Sequence, residues 1–596
     1  MKLKNIITFV ALVTTFSACA DLFEPSLENI RTEEQMFEHP KYALGVLGYA
    51  YSILPFETTS TTDIATDDAV TNDLTSSYRS MALGTWAANN DPVSQWQARK
   101  ATIQYINVFL ENFEKVEWSD KPYIQKMYQD HLRGQALALR ALNMYYLLRN
   151  HAGWTEDGQL LGVPVLTASE NMNSDFNVPR DTFQKCIEQI YEDLDEAIEL
   201  LPLDHENLDD KEVDKIPAKY REIGVTLTGD YNRVFGSYQK GLMSGRIAEA
   251  IKAQVALLAA SPAYVGGTDV TFAQAAELAA DVLNRIGGVA GMDPTGHKWY
   301  MDTKTIDALG SGDVPKEILW RGDKNNGTAS YELGITQETD NFPPTLYGSG
   351  RINPSQNFVD AFPMANGYPI TDPSSGYSAA DPYAGRDPRL AEYVIYNGAS
   401  YKGKNIVTGA YGSDNNALNR TSTSTRTGYY LRKLMREDAD PNPSGVNAKY
   451  HYPVYIRYTE IFLAYAEAAN EAYGPTGTGD NSYSAYDVIK ALHDRAGVGN
   501  DYLESIKTDK DKMRELIRNE RRIELSFENK RFWDMRRWKL DLTEPVNGVR
   551  IEQVGGALQY NTFEVESRNY NNHMYYGPIP ESEILKWSNL DQNKGW

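Results

Sequence analysis

The chain has 596 residues, long enough for one large or several ordinary domains and an ample core. Its 59 basic and 81 acidic residues leave a formal net charge of −22, a field that repels polyphosphate, so no nucleic-acid partner is expected. With only Cys19 and Cys186, no disulfide framework holds the protein together, and cysteine usage alone does not identify a compartment.

Lys2 and Lys4 precede an apolar run over residues 6–16, followed by Ser17, Ala18 and Cys19, the order of a secretory signal peptide spanning residues 1–18. The run is too short to cross a bilayer, which takes about 20 residues. A cysteine directly after Ser17 and Ala18 reads as a lipobox with Cys19 as the acylated residue, although Phe16 stands where leucine is usual. An ordinary signal peptide cut near Ala18 is the alternative, and it would leave the protein without an anchor. Residues 19–31, with Pro25 and few apolar positions in period, read as a tether.

An ordered domain is expected over residues 32–596. It opens with a capping box at Thr32, Glu33, Glu34 and Gln35 ahead of Met36, Tyr42, Ala43, Val46 and Leu47. Helical periodicity follows over 96–116, 121–150, 181–201, 245–261 and 272–286, closing a helical N-terminal part at about 32–286. In the second of these helices small and bulky residues alternate (Ala136, Leu139, Ala141, Leu142, Tyr145, Leu148), which lets neighbouring helices approach closely. From about 287 to 449 the composition shifts to Gly, Pro, Asn, Ser, Thr and Tyr, with short apolar runs that predict short strands in a loop-rich region. Aromatic residues recur there, among them Phe358, Phe362, Tyr368 and Tyr377, and they need burial or a partner. Helical patterns resume over 450–596, at 455–473 and 483–495. The helices pair as helix, loop, helix with Ala-rich faces, which predicts a mainly α scaffold of tetratricopeptide-type pairs, an irregular bundle being the alternative.

Residues 518–539 read RNERRIELSFENKRFWDMRRWK. Met513, Leu516, Ile517, Ile523 and Phe527 share one helix face, while Arg518, Glu520, Arg521, Arg522, Glu524 and Glu528 fill much of the rest. Phe532, Trp533, Met535 and Trp538 then interleave with Arg531, Asp534, Arg536 and Arg537, where guanidinium groups stack on rings and pair with carboxylates. The interleaved acids argue against a basic nucleic-acid helix. They favour a charged helix that locks the C-terminal segment onto the helical core, with any ligand met elsewhere.

This wording resembles the C-terminal signature of the SusD/RagB family of Bacteroidota outer-membrane lipoproteins. The likeness recurs in order along the chain: YYLLRNHAGW (145–154), GRIAEAIKAQVALLAASP (245–262), PSQNFVDAFPMANGYPI (354–370), GRDPRL (385–390), TGYYLRKL (427–434), YIRYTEIFLAYAEAANEA (455–472) and YGPIPESEI (576–584). The resemblance implies a SusD-like fold and a non-enzymatic, glycan-binding lipoprotein held in outer-membrane lipid by acylated Cys19 and facing the cell exterior. Such a protein captures oligosaccharide or polysaccharide and delivers it to a SusC-like TonB-dependent transporter, for which it acts as a hinged lid. A RagB-like peptide-binding lid is the alternative within the same machinery, and a secreted glycoside hydrolase is a further one. Asp21 and Glu24 fit the acidic context that exports such lipoproteins to the surface.

No zincin helix, Walker loop or G-x-S-x-G elbow occurs, and no cofactor or metal is expected. Segment 203–214 lacks the turn glycine and final glutamate of an EF-hand, so a surface Ca²⁺ site has no support. Paired acids such as Asp67 with Asp68 and Asp209 with Asp210 would serve glycoside hydrolysis only at a set separation, and solvated loops are the plainer reading. Cys186 is read as a core residue.

Sugars offer apolar C–H faces edged with hydroxyls, so their sites need exposed rings beside amide, carboxylate or guanidinium groups. Two regions meet that description. Residues 66–91 supply Tyr78 and Trp86 among Asn72, Asp73, Asn89 and Asn90, and the resemblance gives Trp86 the part of stacking tryptophan, with packing against the first helices as its alternative. Residues 324–351 supply Tyr331, Phe342, Tyr347 and Arg351, with Gln337 and Asn341 as hydroxyl partners. Trp96 and Trp320 are read as buried.

Overall fold

The computed structural model describes residues 37–57, 59–325 and 335–596. The signal segment, Cys19, the tether, the capping box at 32–35 and Tyr331 lie outside the described residues.

The scaffold is a succession of helices, each packed on the next. These are α1 (Pro40–Ser52), α2 (Trp96–Asn112), α3 (Pro122–His151), α4 (Phe183–Leu200), α5 (Gly245–Ala260), α6 (Phe272–Asn284) and α7 (Tyr458–Tyr473). Next come α8 (Ala485–Ala496), α9 (Lys510–Glu524) and α10 (Arg531–Arg537). Each of α1 to α7 lies against its successor, and α8 and α9 both pack on α7, so one continuous apolar core runs through the stack. The expected helical pairs are therefore present, within a mainly α architecture.

Sequence explains the close approach. Alanines at 248, 250, 253 and 256 of α5, at 275, 276, 279 and 280 of α6, and at 464, 466, 468 and 469 of α7 are all buried, so backbones rather than long side chains set the spacing. On α3, a Cβ at Gly134 would stand 2.8 Å from Leu201 Cγ, too close to be accommodated without a shift. Starts are fixed by side chains. Thr182 and Ser244 accept from Lys185 N and Ile247 N, and Thr271 with Gln274 and Ser484 with Asp487 form capping boxes. Among the described residues no helix is long and apolar enough to cross a membrane.

The loop-rich region forms two-stranded ladders between distant segments. β1 (Ala69–Thr71) pairs antiparallel with β3 (Ile352–Pro354), and β2 (Ile318–Arg321) with β4 (Val454–Arg457). Many of its aromatics find burial in a second core, where Phe342, Phe358, Phe362, Tyr393, Tyr401 and Tyr430 meet Phe527, whereas Tyr368 and Tyr377 are half-buried outside it. The expected helical character of 450–596 needs one correction. The longest strands of the described residues, β5 (Val546–Val554) and β6 (Ala557–Glu566), form a hairpin there, turned by Gly555 and Gly556 at φ 59° and 87°. A two-residue turn with both φ positive matches the right-handed twist of the strands, and glycine adopts it without strain.

The 518–539 window is two helices, not one. Between α9 and α10 the chain passes through left-handed Phe527 and Asn529, at φ 59° and 56°. Ser60 Oγ donates to Phe527 O at 2.5 Å, and Asn529 Oδ1 accepts from Thr62 N at 3.0 Å. Lys433 Nζ donates to Ser526 O at 2.8 Å. These contacts hold a bulky residue in a conformation it rarely adopts unaided.

The window's charges lock distant segments together, as expected of a scaffold. The buried Arg389 guanidinium meets Asp387 at 2.7 Å and both Glu520 and Glu524 at 2.9 Å. Arg457 joins Glu317 and Glu528, each at 2.8 Å. Arg522 reaches Asp68 at 2.6 Å and Asp67 at 2.9 Å, and Arg531 reaches Asp67 at 2.8 Å. The paired acids Asp67 and Asp68 are thus buried and clamped by guanidinium groups rather than solvated. Asp67 is held far below the usual carboxylate range: burial opposes ionisation, and Arg522 and Arg531 overcome it.

A ring-lined candidate binding cleft

The two regions singled out for ligand contact do meet, where Asn72 bonds to the Ser349, Gly350 and Arg351 carbonyls beside the β1–β3 ladder, but most of their side chains are used internally. Trp86 is 4% exposed. Its ring packs against Phe532, Tyr570 and Trp596, Arg536 lies over it at 5.0 Å, and its indole N–H donates to Asp91 Oδ1 at 2.9 Å. With its faces covered, Trp86 is core and not a stacking platform.

Asn72 is buried, its amide donating to Ser349 O at 2.7 Å and Gly350 O at 2.9 Å. Asp73 accepts from the Thr75 backbone at 3.1 Å and the Thr75 hydroxyl at 2.7 Å, closing a turn. Asn89 and Asn90 are exposed at the tip of an Ala87–Asn90 bridge, and Asn90 donates to Thr85 O at 2.8 Å. Tyr78 is half-buried between two core clusters. Phe342 is fully buried against Tyr401, and Asn341 Oδ1 accepts from Ile352 N at 3.2 Å, so neither meets a ligand. Arg351 is half-buried, with its carbonyl accepting from Asn72 N at 3.2 Å. Tyr347 stands 51% exposed in a left-handed conformation at φ 65°. Of the candidate rings among the described residues it is the most open.

A ring-lined opening lies elsewhere. This open cleft is walled by Phe56 and Tyr455, by Trp299 and Tyr452, and by Tyr146 and Trp533, with Glu57, Arg149, Gln337, His451, Asn529 and Lys530 among its polar lining. Phe56 and Tyr455 stack at 4.5 Å and 16°, and Trp299 lies 5.3 Å from Tyr452. Each wall has its own origin. The last turn of α3 presents Tyr146 and Arg149 one turn apart on one face. β4, tied to β2, carries Tyr455, and the strained turn between α9 and α10 places Phe527, Asn529 and Lys530 before Trp533. The signature window therefore does more than lock the scaffold, because its central turn forms part of the cleft lining.

Charge in the cleft is unevenly partnered. Lys530 Nζ meets Glu460 at 2.9 Å, and His451 Nε2 meets Glu338 at 3.0 Å. Glu57 accepts from the Thr61 hydroxyl at 3.1 Å; burial raises its carboxyl above the usual range, and the nearby Arg149 charge opposes that rise. The indole N–H groups of Trp299 and Trp533 and the Tyr452 hydroxyl are buried and have no protein hydrogen-bond partner among the described residues, so they do not open onto the cleft. Rings beside the lining groups of Glu57, Arg149, Gln337 and Asn529 suit a ligand with apolar faces and hydroxyl edges. Among the described residues no group of three or more His, Cys, Asp and Glu side chains is placed to hold a metal ion. Cys186 is buried, and burial pushes its thiol up to about 12, as suits a core residue.

Of these lining residues only Gln337 was singled out from sequence. Trp533 stood in the signature window but shares its charged surroundings with buried Trp538. Arg149 stood three residues after Tyr146 on a helix end, a spacing that marks a shared face but not an open one.

Comparison with known proteins places the chain. The model described as "SusD family" matches residues 316–596, and that described as "Starch-binding associating with outer membrane" matches residues 42–218. A SusD-like protein P2 of Formosa agariphila is 31% identical over 168 residues, a match covering 28% of this chain and 29% of that relative's length. A SusD-like protein from Bacteroides fragilis superposes with a TM-score of 0.69 at 22% identity, covering 96% of this chain and all of its own. A SusD-like carbohydrate binding protein from the same organism gives 0.66 at 20% identity, over 93% of this chain and 99% of its own. The fold, the ordered motifs and the two family matches together establish that this chain belongs to the SusD/RagB family.

Proposed function

We propose that this protein is a non-enzymatic glycan-binding lipoprotein of the outer membrane that captures oligosaccharide or polysaccharide in the Phe56, Trp299 and Trp533 cleft. The observation that carries the reading is the meeting of three ring-bearing walls with groups able to receive hydroxyls around one open cleft. What the relatives are described as, starch-binding for one family model and carbohydrate binding for one solved structure, supports the ligand class. The order of the N-terminal segment supports acylation at Cys19, and family membership supports delivery to a SusC-like TonB-dependent transporter at the cell exterior. Against a hydrolase, one of the two acid pairs singled out for that chemistry, Asp67 and Asp68, is buried and clamped by arginines, while the other, Asp209 and Asp210, stands exposed.

Calorimetry or affinity electrophoresis against a glycan panel tests the reading. Trp299→Ala and Trp533→Ala are each expected to weaken binding about tenfold, the scale of one lost stacking face. Unchanged affinity in both variants would remove the cleft assignment. Silence on every glycan, with peptides co-purifying with the transporter complex, would transfer the protein to the peptide-capturing branch.

A further inference from the structure

Arg149 is exceptional among the cations around the cleft. Its guanidinium is sandwiched between the Tyr146 ring at 4.2 Å and the Trp533 ring at 4.1 Å, and its Nε donates to Asn150 Oδ1 at 3.2 Å. No carboxylate lies within ion-pair distance of it among the described residues. Its neighbours differ: Arg457, Arg521, Arg531 and Arg537 each hold a carboxylate at 2.8 Å. Arg149 lines both the open cleft and the smaller pocket behind Trp533, so its fork faces space rather than protein.

Two rings fix the plane of this guanidinium, which removes much of the rotamer entropy that a free arginine loses on binding. A planar, pre-oriented fork that no carboxylate contacts, although Glu57 of the same cleft feels its charge, matches an oxyanion that offers two acceptor oxygens. The negative charge of the whole molecule does not prevent this, because at physiological ionic strength charges beyond about 8 Å are largely screened.

We propose that the cleft selects an acidic saccharide, one carrying a uronate carboxylate or a sulfate ester, and that Arg149 binds that anionic group while the rings hold the sugar faces. The inference rests on the glycan-binding reading above and specifies its substrate class. Glu57, turned to the same cleft, then serves the ligand's hydroxyls.

The test is calorimetry of the mature protein with oligogalacturonate and oligoalginate as uronate probes, carrageenan oligosaccharides as sulfate probes, and galactan, xylan and mannan oligosaccharides as neutral ones. Arg149→Gln, Arg149→Lys and Trp299→Ala are compared, with thermal melting to verify folding. The expected result is tightest binding in one acidic arm, a loss of about 10- to 100-fold in Arg149→Gln, and partial retention in Arg149→Lys. Whether the uronate or the sulfate arm responds identifies the source of the charge. Binding of neutral glycans that falls in Trp299→Ala but is unmoved in Arg149→Gln overturns this inference and leaves the glycan reading standing. No binding in any arm overturns both.

Discussion

Arg389 and Trp86 show how single residues carry this fold. Arg389 is completely buried, and burial opposes its charge, yet the carboxylates of Asp387, Glu520 and Glu524 hold it protonated well above the usual arginine range. Removing it strands buried Asp387 and takes one partner each from Glu520 and Glu524, which keep His493 and Arg495. Arg389→Leu is expected to destabilise the protein by about 3–5 kcal/mol, the scale for breaking a buried ionic cluster from one side. Urea denaturation measures this, and a loss under about 1 kcal/mol would show that the cluster relaxes or hydrates. Trp86→Ala opens a cavity between Phe532, Tyr570 and Trp596 and is expected to cost about 3–5 kcal/mol. Its glycan affinity at temperatures below melting should stay near that of the unmodified protein, in contrast to Trp533→Ala. Equal losses of affinity in the two variants would return Trp86 to the binding surface.

Elements are fixed by their ends and turns. At α8 the Ser484 hydroxyl accepts from Asp487 N while the Asp487 carboxylate accepts from Ser484 N, so Ser484→Ala is expected to cost about 1 kcal/mol, read from the thermal midpoint. The β5–β6 hairpin turns at Gly555 and Gly556. Valine in place of Gly556 would put a β-branched side chain at φ 87°, so faster amide exchange over 546–566 is expected, with a small change in global stability. Unaltered exchange would mean that the strands, not the turn, set the register. The Phe527 turn is the opposite case, since a strained conformation is retained there by Ser60, Thr62 and Lys433 from outside it. It is also where the scaffold becomes cleft.

The whole molecule responds to acid through its buried titratable groups. Burial lowers His151, His205 and His297 to about 4, below their ordinary 6.5. A depressed histidine contributes stability that is fully present above 6.5 and is lost as pH falls towards 4. Glu524, which burial opposes but Arg495, Arg389 and Arg457 bring down to about 2 from 4.5, contributes stability present above 4.5 and lost as pH falls towards 2. Burial raises Asp63 to about 8 and Asp91 to about 6, so these two oppose the trend by losing stability as pH rises from 3.8 to those values. The urea midpoint is therefore expected to fall below pH 6.5 and to fall more steeply below about 4.5. A midpoint that rises towards pH 4 would show that the two aspartates dominate.

The helical stack was legible because it depends on local information. The 3.6-residue period, the runs of alanine and the capping residues specify each helix and its buried face, and the observed ends fall close to those expected, as in α5 at Gly245–Ala260 against 245–261. The ordered motifs likewise mark the family, and the alternation that flanks Gly555 and Gly556 is a local signal for their hairpin. The cleft was not legible. It joins Phe56, Arg149, Trp299, Tyr455 and Trp533, drawn from five separate stretches, and no local pattern encodes which of them meet. Nor does local pattern separate Trp86 from Trp533, each a tryptophan among polar or charged neighbours, because exposure is decided by what packs on the ring. Sequence by itself thus determined the scaffold and the lineage, which rest on periodicity and local propensity. Only the tertiary structure decided the site, because long-range packing chose which rings were covered and which faced the open cleft.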